Sequence, residues 1–304
     1  MNWKILTIFL ANALISCAHQ TKLEIKKNGS SELTITAAEK SKSFSREDLL
    51  NHPMVRDLKV TSDPAYGSAT YRAVPMYALL ESFAVNDESI LLFTCLDGFS
   101  APINLARLLN QDPEKAIAYL AIEPESEPWP RLRKGSAASA GPFYVVWENP
   151  EKSRVSPEEW PFQIVSFSLK PPPEKLYPHT SPDHRVSKTS PVYQGYQAFL
   201  KNCFACHTMN GEGDSRLGPD LNIPFNPTEY LQPGFLKKLI RNPQAVRLWP
   251  KSSMAGFNSA SLTDQEIRNI ILYLHHMALR KHRPGTDSSA SKNPGARGTT
   301  PGRA

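Results

Sequence analysis

The chain has 304 residues, enough for two domains of about 150 residues each. Its 40% apolar and 21% charged residues are typical of a globular protein and exclude a disordered or fibrous chain. The net charge is +6, but residues 1–16 hold one lysine and residues 280–304 hold a surplus of five cations, which leaves the body between them neutral. Because binding to a nucleic-acid backbone needs several cations on one face, we expect no nucleic-acid function.

The first 16 residues are predicted to be an export signal. Lys4 precedes an apolar run that ends at Ile15 and is too short to span a bilayer permanently. Residues 14–17, Leu-Ile-Ser-Cys, resemble the lipobox of bacterial lipoproteins. That resemblance implies that Cys17 is lipid-modified and becomes the first mature residue, since acyl chains hold a protein stably to a membrane. An ordinary cleaved signal with a chance cysteine is the alternative.

Both interpretations of the N-terminus place the chain in a compartment where thiols oxidise. The lipobox implies the periplasmic side of a bacterial membrane, with the lipid as the membrane anchor. Residues 17–42 are mostly polar, and we interpret them as a tether between the anchor and the first domain.

Residues 43–169 combine short apolar runs with short helical patterns. The runs predict strands at Arg56–Thr61, Ser89–Cys95, Ala116–Ile122, Pro142–Trp147 and Gln163–Leu169. Helices are predicted after a cap at Ser45, over Pro75–Ser82 and over Ile103–Asn110. Strands interleaved with short helices predict an α+β domain built on a mixed sheet.

Parts of this domain resemble the molybdopterin-binding domain of the sulfite-oxidase family. The resemblance rests on residues 71–75 (Tyr-Arg-Ala-Val-Pro), 93–100 (Phe-Thr-Cys-Leu-Asp-Gly-Phe-Ser) and 141–143 (Gly-Pro-Phe). It implies that Cys95 would be the molybdenum ligand. However, the neighbours of Cys95 are threonine and leucine rather than arginine, and no obvious cluster of basic residues surrounds it. We therefore interpret Cys95 as a small buried residue and the domain as a scaffold without molybdopterin.

A proline-rich segment at residues 170–190 is predicted to be an extended, semi-rigid linker. Soon after it, Cys203-Phe-Ala-Cys206-His207 forms the C-x-x-C-H pattern of covalent haem attachment. Two residues between the thiols let both sulfurs reach the two vinyl groups on one porphyrin edge, and the histidine then lies beneath the iron. A redox-active thiol pair or half a zinc site are the alternatives, but no second Cys or His pair follows to complete a zinc site. The pattern therefore predicts one covalent haem c.

The motifs around this pattern are similar, in kind and order, to those of class I cytochromes c. A helix pattern over residues 193–202 precedes it, and Gly-Pro-Asp-Leu follows at residues 218–221. Then come a loop with Met254 and a helix opened by a capping box at Thr263. The resemblance covers residues 191–280 and implies an all-α cytochrome c domain, a small helical shell around the haem.

The resemblance assigns a role only to positions that match the family's motifs. It implies that Gly195 lets the first helix pack closely on the last one near Tyr273. It also implies that Cys203 and Cys206 are the two thioether anchors and that His207 is the proximal iron ligand. The backbone carbonyl that orients this ligand would be that of Pro219.

The distal iron ligand implied by the resemblance is Met254, whose thioether is a soft donor for ferrous iron. Alanine replaces the proline that the family more often has after this methionine, and Met254 packing in the pocket without ligating is the alternative. Trp249, with Arg241 and Arg247, lies shortly before the loop and is a candidate to hydrogen-bond the haem propionates. A core tryptophan with solvated arginines is the other interpretation.

Together these patterns predict a lipid-anchored, mono-haem cytochrome that passes single electrons between redox partner proteins of a respiratory chain. Bond-making catalysis is not required of it. The alternative is a molybdenum-dependent oxidoreductase with a fused haem c acceptor and Cys95 as the metal ligand. Residues 281–304 contain little to bury and are predicted to be a disordered basic tail.

Overall fold

The computed structural model of the protein describes residues 32–37, 40–81, 89–132, 138–215, 217–246 and 254–282. An α+β unit comes first and a helical unit follows, which confirms the predicted fold class. Among these described residues, none of the helices has the length and apolarity needed to cross a membrane.

The strands of the first unit form two sheets around one core. In chain order they are β1 Glu32–Ala37, β2 Lys40–Ser45, β3 Arg56–Asp63, β4 Gly67–Pro75, β5 Ile90–Cys95, β6 Ser100–Asn104, β7 Ile117–Ile122, β8 Phe143–Glu148 and β9 Ile164–Lys170. One sheet has the order β2-β1-β9-β5-β6 and is mixed, because β1 and β9 are parallel. The other has the order β3-β4-β7-β8 and is antiparallel.

The five predicted strands are confirmed as β3, β5, β7, β8 and β9, but the start of the domain needs correction. Strand β1 falls inside the tether predicted for residues 17–42. Its side chains Leu33 and Ile35 are 0% and 1% exposed, so the domain includes residue 32 and does not start at residue 43. Strand β2 is the edge strand of its sheet with mostly exposed side chains, and an edge strand of this kind needs no apolar run.

The three helices predicted in this unit are present as α1 Arg46–Leu50, α2 Met76–Leu80 and α3 Leu105–Leu108. Ser45 caps α1: its hydroxyl oxygen accepts a hydrogen bond from the Asp48 backbone N–H, while the Asp48 carboxylate accepts one from the Ser45 N–H. Helix α3 is shorter than predicted because Ile103 and Asn104 belong to β6.

The helical unit contains α4 Pro173–Leu176, α5 Pro191–Asn202, α6 Pro227–Tyr230, α7 Pro233–Arg241, α8 Pro243–Val246 and α9 Asp264–Ala278. Five of these six helices begin with proline, whose fixed φ and missing N–H suit the first helical position. Helix α9 begins with the predicted capping box. The Thr263 hydroxyl accepts from the Glu266 N–H, and the Glu266 carboxylate accepts from the Thr263 N–H.

The segment predicted as a linker, residues 170–190, packs onto the helical unit. The Tyr177 ring meets the Phe204 ring edge-on with 5.0 Å between centroids. Thr180 is fully buried, and its carbonyl accepts a 2.6 Å hydrogen bond from the Tyr273 hydroxyl. The segment is therefore part of the helical core rather than a free spacer, because its aromatic and backbone groups have partners there.

Helices α5 and α9 cross at Gly195. A Cβ atom at this position would overlap the backbone carbonyl of Asn269, so the two helix backbones are in contact. Tyr273 lies one turn further along α9 and packs its ring on Tyr196 and Phe199, with centroids 5.5 and 5.2 Å away. The predicted close packing of the two helices near Tyr273 is therefore present, with Asn269 in direct contact with Gly195.

Ionic contacts join the two units at a cleft of about 980 Å³. Arg154 of the first unit forms a salt bridge with Glu266 at the start of α9. Lys201 of α5 donates a 2.7 Å hydrogen bond to the Arg154 carbonyl and lies 3.6 Å from the Glu159 carboxylate. Arg107 pairs with the same carboxylate at 2.6 Å. The first unit is thereby held against the end of α5, where the haem motif begins.

Candidate haem site

The segment Cys203–His207 forms a tight turn at the end of α5. The Cys203 N–H still makes a helical bond to the Phe199 carbonyl at 2.8 Å, and the His207 N–H then bonds to the Cys203 carbonyl at 2.9 Å. Cys203 and Cys206 are both free and half-buried. Burial raises the pKa of the Cys206 thiol to about 12 and also raises that of Cys203, so both sulfurs are held as protonated thiols on one turn.

The imidazole of His207 is oriented by the backbone. Its Nδ1 lies 2.8 Å from the Pro219 carbonyl oxygen. A carbonyl only accepts, so the proton sits on Nδ1 and the lone pair remains on Nε2. Burial lowers the pKa of His207, which favours the neutral ring that a metal ligand needs.

The residues after the haem motif shape the space around this ring. A Cβ at Gly218 would lie 2.6 Å from the His207 ring, so glycine leaves the room that the imidazole occupies. The Asp220 carboxylate accepts hydrogen bonds from the Thr208 hydroxyl at 2.9 Å and from the N–H groups of Gly211 and Asn222 at 2.7 and 2.8 Å. This network fixes the turn that carries Pro219.

Three buried asparagines extend the network to the end of α9, and the sequence analysis did not single them out. The Asn222 amide donates to the Asn210 side-chain oxygen and to the Met277 carbonyl, and the Asn226 amide donates to the Leu274 carbonyl. The Met277 carbonyl is one of the last four of α9, which have no partner within the helix. The only local sequence signal for this network is the asparagine that precedes Pro227. The contacts with α9 leave no local signal, because the acceptor carbonyls lie about 50 residues further along the chain.

The loop after Met254 is fastened to the end of α7. The Phe257 N–H bonds to the Ile240 carbonyl at 3.1 Å, and a Cβ at Gly256 would overlap the Arg241 carbonyl. The Arg241 guanidinium donates to the carbonyls of Phe257 and Leu262 at 2.9 and 2.5 Å. Met254 is half-buried two residues before this fixed point.

This arrangement gives Arg241 a third role that neither interpretation of the sequence included. Besides the loop carbonyls, its guanidinium donates to the Asp264 carboxylate at 2.6 Å, so its donors are engaged by groups of the chain itself. Arg247 and Trp249 lie outside the described residues, as do Cys17 and the predicted signal and most of the predicted tail.

The first unit contributes a carboxyl group to the edge of the site. Glu158, in a short 3-10 turn at Pro157–Glu159, places Oε2 3.9 Å from the Cys206 sulfur. Burial raises the pKa of Glu158 to about 7. No local sequence signal identifies this residue, because it lies 48 positions before Cys206 and meets it only through the packing of the two units.

Cys95, the alternative molybdenum ligand, lies at the end of β5 with 1% of its surface exposed. Burial raises the pKa of its thiol well above the usual value, as expected for a small buried residue at the end of a strand. Gly141, the first residue of the Gly-Pro-Phe motif, packs against the Glu123 carboxylate of the same chain. This carboxylate accepts hydrogen bonds from the Trp129 N–H and the Ser139 hydroxyl. These groups fill the space beside the Gly-Pro-Phe motif.

Two free thiols on one turn, a neutral imidazole with Nε2 as its acceptor and a glycine that makes room for the ring fit a covalently attached haem. A helical domain with such a site is a c-type haem domain. In agreement, residues 192–278 match the family model of cytochrome c, so the C-terminal unit is a cytochrome c domain. A cytochrome c domain implies covalently bound haem c and electron transfer with redox partners. No curated protein matches the chain.

Proposed function

We propose that this protein is a c-type cytochrome of the cell envelope that carries single electrons through one haem. Its anchors are Cys203 and Cys206, and its axial ligands are His207 and Met254. The observation that carries the proposal is the 2.8 Å contact between His207 Nδ1 and the Pro219 carbonyl beside the two free thiols. The bound haem would supply a ferric/ferrous couple.

The protein's own contribution is to hold both iron ligands in place. Pro219 fixes the tautomer and plane of His207, and the clamp of Arg241 on the loop fixes the backbone beside Met254. Ligands that cannot move keep the same geometry in both oxidation states, which lowers the reorganisation that accompanies each electron. In this proposal His207 and Met254 only hold the iron and make or break no covalent bond with a substrate. The proposed function is therefore electron transfer rather than catalysis.

We further propose that a lipid on Cys17 anchors the mature chain to the periplasmic side of a bacterial membrane. The support is the Leu-Ile-Ser-Cys sequence that ends the apolar run. The electron donor and acceptor would then be proteins of a respiratory chain that meet the haem at this membrane.

The test is the mass and metal content of purified full-length protein. We expect the acid-extracted polypeptide to keep the mass of one haem, iron to be equimolar and molybdenum to be absent. Acyl chains on Cys17 would appear in the mass of the N-terminal peptide. In C203S/C206S the extracted polypeptide should be colourless, because no sulfur remains to form a thioether.

The matched control is Cys95→Ala, which removes a cysteine that lies in the first unit. It should keep its covalent haem. Equimolar molybdenum in the parent that disappears in Cys95→Ala would instead establish the molybdenum-dependent oxidoreductase, and a parent polypeptide of unmodified mass would refute the cytochrome.

Replacing Met254 with alanine tests the distal ligand. The ferric parent should show the weak charge-transfer band of methionine-ligated iron near the red end of the spectrum, and Met254→Ala should lose it because the thioether is gone. Met277→Leu is the control, since Met277 is buried on α9 and its carbonyl binds Asn222. If the parent shows only features of two imidazole ligands, Met254 is not the ligand.

A further inference from the structure

A rigid turn of the first unit lies against the haem motif. Ser156 and Glu159 form a capping box around this turn, with the Ser156 N–H 2.8 Å from the Glu159 carboxylate. The same carboxylate pairs with Arg107 and Lys201, and Arg154 nearby pairs with Glu266. The position of the turn is therefore set by contacts from both units.

Glu158 is the residue of this turn whose carboxylate points to the haem motif. In the described part of the chain no cation forms an ion pair with it, although cations surround the neighbouring Glu159. Its Oε2 faces the sulfur of Cys206, which would anchor the porphyrin and would not be an iron ligand. A carboxyl group at this place would lie next to the point where the haem is attached to Cys206.

A negative charge at the porphyrin edge acts on the redox equilibrium. The ferric haem carries one more positive charge than the ferrous haem, and a nearby carboxylate in a partly desolvated site stabilises the ferric form. The Cys206 thiol is a donor to the Glu158 carboxylate, and this donor disappears when the sulfur becomes a thioether. Without this S–H donor the negative charge of the carboxylate is less compensated, so the carboxylate acts more strongly on the haem.

We propose that Glu158 of the first unit sets the reduction potential of the haem, lowering it when its carboxylate is charged. The inference rests on the proposed function, because it requires a haem attached at Cys206. It gives the first unit a part in electron transfer beyond that of a scaffold: this unit supplies a charge at the edge of the cofactor.

Protons can reach Glu158, because it lines the cleft of about 980 Å³ between the two units. Burial raises the pKa of this carboxyl to about 7, and loss of the Cys206 thiol donor on thioether formation would raise the pKa further. The charged and titratable groups that line this cleft or act on the two cysteines, from both units, are Asp97, Arg107, Arg154, Glu159, Glu174, Lys175, Lys188, Tyr193, Lys201, Cys203, Cys206 and Glu266. Among these, Arg107 and Lys201 both pair with Glu159 and Arg154 pairs with Glu266, so each of these cations has a carboxylate partner other than Glu158.

The experiment is a spectroscopic redox titration of the full-length haem protein across about pH 5.5 to 8.5. Both proteins are held at the midpoint potential of the parent at about pH 8.5. The ratio of ferrous to ferric haem in Glu158→Gln should then be roughly tenfold higher than in the parent. A tenfold change corresponds to about 59 mV for one electron. At about pH 5.5 the carboxyl is protonated in the parent, so the two proteins should differ by less than roughly twofold.

The matched control is Glu151→Gln, which removes an exposed carboxylate from the same segment of the first unit. It should keep the parent's potential and pH dependence. Glu158→Asp keeps the charge and should stay closer to the parent than Glu158→Gln, which separates loss of charge from loss of packing.

Two results would overturn the inference: a parent potential that does not fall between about pH 5.5 and 8.5, or a Glu158→Gln profile that overlays the parent. The first needs no variant, so a folding failure cannot hide it. Either result, obtained on protein with its haem bound, leaves the proposed function intact. Protein without covalent haem would instead refute the proposed function itself.

Discussion

Replacing Gly195 with alanine should destabilise the cytochrome domain by about 2–3 kcal/mol, although alanine is the better helix former. The helix propensity of alanine favours the variant by about 1 kcal/mol. The added Cβ, however, overlaps the backbone carbonyl of Asn269, and backbone atoms cannot rotate away as a side chain can. Helices α5 and α9 must separate, and overpacking of this kind typically costs about 1–3 kcal/mol plus the lost contacts.

The measurement is thermal unfolding of the haem protein, followed by helical circular dichroism and by haem absorbance. For a domain of this size the loss corresponds to a fall in Tm of roughly 10–20 °C. Gly234→Ala on α7 is the matched control, because no atom lies within 4 Å of a Cβ built there. It should unfold at the parent's midpoint or slightly above it. A Gly195→Ala variant as stable as the parent would show that the two helices are not in backbone contact.

Replacing Arg241 with alanine should both destabilise the domain and release Met254 from the iron. The substitution leaves the carbonyls of the buried Phe257 and Leu262 without their side-chain donor. Each unsatisfied buried acceptor costs about 1–3 kcal/mol, so we expect a total loss of about 3 kcal/mol. We also expect the red ferric band of methionine ligation to weaken or vanish near neutral pH, because the loop that holds Met254 is no longer fastened to α7.

The control is Arg268→Ala, which removes an exposed arginine that donates only to the Gln265 side chain among the contacts described. It should leave both stability and spectrum unchanged. Arg241→Lys should fall between the parent and Arg241→Ala, since an ammonium group cannot reproduce the planar fork of donors that spans the loop. An intact red band in Arg241→Ala would show that other contacts hold the methionine loop.

The proposals for Glu158 and Arg241 describe two different influences on one haem. Arg241 acts on the distal side through the backbone around Met254, and its loss should change the spectrum. Glu158 acts from the first unit through its charge, so its loss should change the potential and leave the spectrum as it is. The two variants therefore distinguish a change of ligand from a change of electrostatic surroundings.

Motifs whose chemistry is local could be predicted from the sequence. The two thiols and the imidazole of Cys203–His207 lie within one turn, so their spacing alone specifies what they can hold. The cap at Ser45 and the capping box at Thr263 involve residues three positions apart and are present as predicted. The strands of the first unit with apolar runs were likewise predicted, whereas β1, β2, β4 and β6 were not, because short or mixed-polarity strands are recognisable only by their partners.

The sequence by itself determined that the chain has an α+β part and a helical part with the residues for one covalent haem. Only the tertiary structure decided that Asn269 meets Gly195, that Arg241 fastens the methionine loop and that Glu158 faces Cys206. Each of these contacts joins residues 16 to 74 positions apart along the chain. Such pairs are selected by packing and by the need to satisfy buried polar groups, and neither leaves a periodic pattern in the sequence.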